Sequence, residues 1–100
     1  MKMKVFIGEK VIVRGDGSGV FFGTLAEKDG QEVKLENCRR IWYWEGAASL
    51  SQLAKEGVKN PDNCKFTVSV DEIVVLDAIE IIPCTEEAVK IIEGVKEWKM

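Results

Sequence analysis

Between residues 9 and 45 short apolar, β-branched or alternating runs are separated by glycine-containing turns, the mark of a series of strands. Lys10-Val11-Ile12-Val13-Arg14 is short and β-branched, and Gly15-Asp16-Gly17-Ser18-Gly19 interrupts the pattern after it. Val20 to Ala26 resumes it as a second strand. Lys28-Asp29-Gly30-Gln31 holds an Asp-Gly pair, which favours a tight hairpin turn. Glu32-Val33-Lys34-Leu35-Glu36 then reads as a third strand, and Asn37-Cys38 lead into a fourth from Arg39 to Glu45. Four strands joined by short turns predict a β-meander.

After Gly46 the period lengthens. Leu50, Leu53 and Ala54 line one side of a short helix over residues 48–56, which Gly57 ends. Residues 58–64, with Asn60-Pro61-Asp62-Asn63, read as a loop, and Lys65 to Val70 as an extended edge segment. Glu72 to Ile82 is the most apolar tract; it predicts one long or bent strand, or two short ones, ending at Pro83. Thr85 is an N-cap for a C-terminal helix, with Glu86 and Glu87 in its first turn where the helix dipole favours acids. Ala88, Ile91, Ile92, Val95 and Trp98 form its apolar stripe. The expectation is one α+β domain over residues 1–100: a curled antiparallel sheet or small barrel, a short central helix and a C-terminal helix.

Composition narrows the chemistry. Net charge is −3, which does not favour duplex nucleic acid as a partner. There is no histidine, so Ser-His-Asp and Cys-His catalysis is excluded within one chain. Cys38, Cys64 and Cys84 show no C-x-x-C spacing and read as reduced, partly buried small residues. No metal, cofactor or enzymatic activity is expected. No apolar run reaches the roughly 18 residues of a membrane span, and the N-terminal residues do not read as a signal peptide, which points to the cytoplasm. The glycine-rich stretch at 15–19 precedes a strand rather than a helix, so it reads as a turn or mobile flap and not as a phosphate loop.

What stands out is Cys38-Arg39-Arg40-Ile41-Trp42-Tyr43-Trp44-Glu45-Gly46-Ala47. It holds two of the three arginines, two of the three tryptophans and the only tyrosine. Arginine offers a planar fork to phosphate, and tryptophan or tyrosine a stacking surface to a base. Arg14, Arg39, Arg40, Trp42, Tyr43 and Trp44 are therefore the candidate ligand-binding residues, with Arg14 converging on Arg40 if the sheet curls. Strand alternation puts Arg40, Trp42 and Trp44 on one face and Arg39, Ile41, Tyr43 and Glu45 on the other. The alternative is structural: aromatics fill cores and subunit interfaces as readily as they bind ligands.

The block Arg39-Arg40-Ile41-Trp42-x-Trp44-x-Gly46-Ala47, with Ser49-Leu50-x-x-Leu53-Ala54-x-x-Gly57 and Ile79 to Ala88, resembles a family of small proteins of tailed phages and prophages. That resemblance implies a phage origin, hence a host-cell cytoplasm, and names no activity. By analogy of chemistry it is similar to phage anti-defence sponges, homo-oligomers that sequester nucleotide signals of host immunity. The expected function is thus a non-enzymatic binder of a small nucleotide-like anion. The alternative is a structural or protein-interaction module with no small ligand.

Overall fold

The computed structural model describes residues 6–100; of the stretch 1–7 on which the signal-peptide reading rests, residues 1–5 lie outside them. The chain is α+β. Its strands are β1 (Lys10–Gly15), β2 (Val20–Asp29), β3 (Glu32–Tyr43), β4 (Lys65–Phe66), β5 (Val70–Val75) and β6 (Ala78–Pro83); its α-helices are α1 (Leu50–Glu56) and α2 (Glu86–Gly94). They form one antiparallel six-stranded sheet in the order β4-β3-β2-β1-β6, with β5 on β3 beside β4. β5 and β6 flank the corner Leu76–Asp77, where Asp16 N–H donates to the Asp77 carbonyl (2.9 Å) and Ala78 N–H to that of Gln31 (3.0 Å). The two strands do not pair with each other, so the curled sheet stays open.

Two cores lie on its two faces. The inner face of the curl buries Val11, Val13, Phe21, Leu25, Val33, Leu35, Cys38 and Val75. The outer face is covered by the helices, which bury Ile12, Phe22, Ile41, Leu53, Phe66, Ala88 and Ile92 against it. The helix caps interlock: the Thr85 hydroxyl accepts from Ala88 N–H (3.1 Å) and donates to the Lys55 carbonyl at the end of α1 (2.7 Å). Gly57 turns the chain at φ +75°, and a Cβ there would run into Ile91 of α2. Its freedom thus serves both the turn and the helix packing.

Three expectations are corrected. The third and fourth strands are one, β3, because Asn37 takes a left-handed conformation (φ 49°) and keeps the strand going through a bulge. The C-terminal helix ends at Gly94, and Trp98 belongs to a strand-like tail in which Trp98 N–H donates to the Phe66 carbonyl (2.8 Å). Glycine at the helix end and the buried Val95 after it stop the helix before Trp98. The central helix starts at Leu50 with Ser49 as its N-cap, because the Ser49 hydroxyl accepts from Gln52 N–H (3.1 Å).

Candidate functional site

The bulge in β3 decides where the arginines go. Phe22 pairs with Arg39 and Thr24 with Glu36, so Asn37 and Cys38 together face Gly23 alone. A Cβ on Gly23 would press on the Glu36 carbonyl and on Cys38 at 3.0–3.2 Å, which makes glycine the fitting residue there. Val33 and Leu35 point to the inner face; without the bulge Arg39 would follow them. The extra residue shifts the alternation by one. Cys38 and Arg40 take the inner face, and Arg39 and Ile41 the helix face.

Arg39 is consequently buried, and it is not placed to hold a ligand. Its Nε donates to the Thr67 carbonyl (3.1 Å), Nη1 to those of Ile92 (3.1 Å) and Val95 (2.9 Å), and Nη2 to that of Phe66 (3.1 Å). The Phe66 ring lies 5.4 Å from the guanidinium carbon. Ile92 and Val95 end α2, where the helix dipole is negative, so these contacts offset part of the cost of burying a charge. Burial lowers the guanidinium pKa, and the charge of Glu97 opposes that shift. Arg39 locks the end of α2 and the β4 backbone to β3.

Arg40 is the opposite case. Its backbone is fixed by Thr67, whose hydroxyl accepts from Arg40 N–H (2.9 Å) and whose N–H donates to the Arg40 carbonyl (2.9 Å). Its guanidinium lies over the buried Phe21 ring (4.8 Å) and has no acidic partner among the described residues. It lines a cleft of about 470 Å³ with Gly17, Ser18, Phe21, Ile73, Leu76 and Asp77, between β5 and the β1–β2 turn. The Asp77 carboxylate accepts from Gly17 N–H (2.8 Å) and from the Ser18 hydroxyl, closing that turn.

Arg14 does not join it. Arg40 pairs with Phe21 and Phe21 with Val13, which puts all three on the inner face, whereas Arg14 pairs with Val20 and faces outward. There its Nε donates to Glu80 (3.0 Å). Trp44 also leaves the expected set, because β3 ends at Tyr43 and the alternation lapses. Trp44 packs against the helix-side core and donates from Nε1 to the Ala47 carbonyl (3.2 Å).

Trp42 remains, 59% exposed and two residues beyond Arg40, about 7 Å along the strand. Trp98 stacks on it at 5.1 Å between ring centroids, and Lys65 Nζ stands 5.3 and 5.4 Å from the two rings. Tyr43 is also exposed, and the charge of Glu45 raises its phenol pKa. The sequence showed neither Lys65 nor Trp98 as neighbours of the block, because a two-residue strand and a tail bring them there. The thiols are not part of the site: burial pushes Cys38 and Cys84 up to about 12.

Asp77 gives a pH prediction. The Ser18 hydroxyl and Gly17 N–H hold its carboxyl below the ordinary value of 3.8. A depressed folded pKa stabilises above the unfolded pKa, and the gain is lost as pH falls through the folded one. Wild type should therefore lose stability in acid below the ordinary carboxylate pKa more steeply than Asp77→Asn, in denaturant titrations at stepped pH. Equal slopes would remove Asp77 as the clasp of the turn.

An open curled sheet with two helices on its outer face and, in its inner cleft, an arginine without an acidic partner among the described residues defines a small α+β module with a candidate anion site. The chain belongs to the family described as a domain of unknown function, DUF6948, whose model matches residues 8–92. No curated protein matches it. Among solved structures, it is similar to a chain in a crystal structure of the NatC complex bound to CoA, at 14% identity and a TM-score of 0.46. That match covers 90% of this chain and 96% of the other, and its looseness leaves it without bearing on function.

Proposed function

We propose that this chain is a non-enzymatic binding protein for a small nucleotide-like anion, held on the face shared by Arg40 and Trp42. The observation that carries this reading is the Arg40 guanidinium, oriented over Phe21 at the cleft and without an acidic partner among the described residues. An unpaired fork of donors is suited to phosphate, and the exposed Trp42 to stacking a base. Lys65 over the tryptophan rings adds a second cation. In a phage-encoded protein such binding would sequester a host nucleotide signal.

Calorimetry against cyclic oligonucleotides and cyclic ADP-ribose isomers tests this. Wild type should bind one class, Arg40→Ala should lose at least about tenfold in affinity, roughly 1.4 kcal/mol, and Arg14→Ala should bind as wild type. No binding across the panel would sink the reading. A second reading, an interaction module without a small ligand, is favoured by the exposed Trp42–Trp98 pair. It predicts that wild type and Arg40→Ala are equally silent in the same titrations.

A further inference from the structure

The glycine turn at 15–19 has a place beside the cleft. Phe21 pairs with Arg40, and the same register carried two residues further sets Gly19 opposite Trp42. Gly19 therefore holds the inner-face position beside Trp42, as Phe21 does beside Arg40. Phe21 fills its position with a ring under the guanidinium, whereas a Cβ on Gly19 would meet nothing within 4 Å. Next to it in the turn, Gly17 and Ser18 line the Arg40 cleft. Asp77, the acid of that cleft, has both oxygens engaged by the turn, Oδ2 by Gly17 N–H and Oδ1 by the Ser18 hydroxyl.

The neighbours of Trp42 stand on one side of it. The Trp98 ring centre is 5.1 Å from that of Trp42, and Lys65 Nζ is 5.3 and 5.4 Å from the two, a nearly equilateral triangle. Lys65 thus lies on the Trp98 side of the Trp42 ring and not against its opposite face. Both come from β4 and the tail bonded to it, on the flank of β3 away from β2. The free face of Trp42 looks back toward β2 and the gap over Gly19.

We propose that a nucleotide base fills the gap over Gly19, stacked on the β2-side face of Trp42, with its own phosphate on Arg40. This rests on the reading of Arg40 and Trp42 as the ligand site and names the ligand class. It is a nucleotide unit bound through both base and phosphate, free or as one half of a cyclic dinucleotide. Gly19 admits the base because it brings no side chain. Trp98 is a positioning residue: it holds the Trp42 ring from the far side and leaves the near side to the base.

Calorimetry with AMP, GMP, cyclic di-AMP, cyclic di-GMP and ribose 5-phosphate tests this. Wild type should bind at least one nucleotide about tenfold or more tighter than ribose 5-phosphate, the base supplying the difference. A mononucleotide that binds as well as its cyclic form identifies the free nucleotide, and a cyclic form that binds better identifies the half. Trp42→Ala should bind nucleotide and ribose 5-phosphate alike. Trp98→Ala should weaken nucleotide binding only, and Trp98→Phe should restore it. Gly19→Leu should lose about tenfold or more, whereas Gly8→Leu, at a comparable φ (+88° against +112°) and in open space before β1, should bind as wild type. A nucleotide bound no better than ribose 5-phosphate, or bound equally by wild type, Trp42→Ala and Gly19→Leu, overturns the slot. If Arg40→Ala still loses binding in that case, the anion reading of the cleft stands; silence of wild type toward every probe overturns both.

Discussion

Arg39→Ala should lose roughly 3–5 kcal/mol of unfolding free energy, a large fraction of what a domain of this size has. The truncation removes a donor from each of the carbonyls of Thr67, Ile92, Val95 and Phe66; those of Ile92 and Phe66 keep the N–H groups of Val95 and Trp98. It leaves them facing a cavity between β3 and the end of α2 where the guanidinium was buried. Each buried acceptor without a donor costs about 1–3 kcal/mol, and the site can relax only in part. The tail should loosen as well, because Trp98 depends on the Phe66 backbone for its place over Trp42. Urea unfolding followed by tryptophan fluorescence reads both effects. A loss under about 1 kcal/mol would show that water takes over the four carbonyls and that Arg39 is no lock.

Gly46→Ala should be the next most damaging change, at about 2 kcal/mol or more. Gly46 sits at φ +93°, where a side chain is strained in any surroundings. Here the added Cβ would also meet the backbone nitrogens of Lys59 and Asn60, which cannot rotate away as a side chain could. Relief requires moving the loop after α1, and with it the bond from Lys59 N–H to the Gly46 carbonyl. Trp44 and Ala47 pack on the helix-side core from this segment, so the shift would reach the core. Thermal unfolding by circular dichroism should show a fall of several degrees. Gly30→Ala is the control: it also has a positive φ but nothing within 4 Å of its Cβ, so it should cost less.

Much of the fold can be read from the sequence where local chemistry acts alone. The Asp29–Gly30 turn joins β2 to β3, and Thr85 caps α2, because both are decided by adjacent residues. The break of the apolar tract into β5 and β6 was open between one strand and two; the Leu76–Asp77 corner resolves it through contacts with Gln31 and Asp16, distant in sequence. The site was legible in composition but not in geometry. Alternation correctly set Arg40 and Trp42 against Arg39 and Ile41. What it could not tell is which face looks to the helices, since that depends on the bulge at Asn37; asparagine is enriched among left-handed residues, but one asparagine does not by itself mark a bulge. Trp44 was misplaced because alternation has no meaning beyond the end of the strand. Arg14 failed to converge for the register reason: its partner Val20 is on the other face from Phe21.

The bulge, then, divides two neighbouring arginines between two tasks, one closing the fold and one left free in the cleft. Unfolding free energies of Arg39→Lys and Arg40→Lys, measured side by side in urea, test this most directly. Lysine keeps the charge and gives up the planar fork. Arg39→Lys should lose about 2 kcal/mol or more, since one ammonium cannot serve four carbonyls in their fixed places. Arg40→Lys should stay within about 0.5 kcal/mol of wild type. Equal losses, or a larger loss at Arg40, would contradict the division.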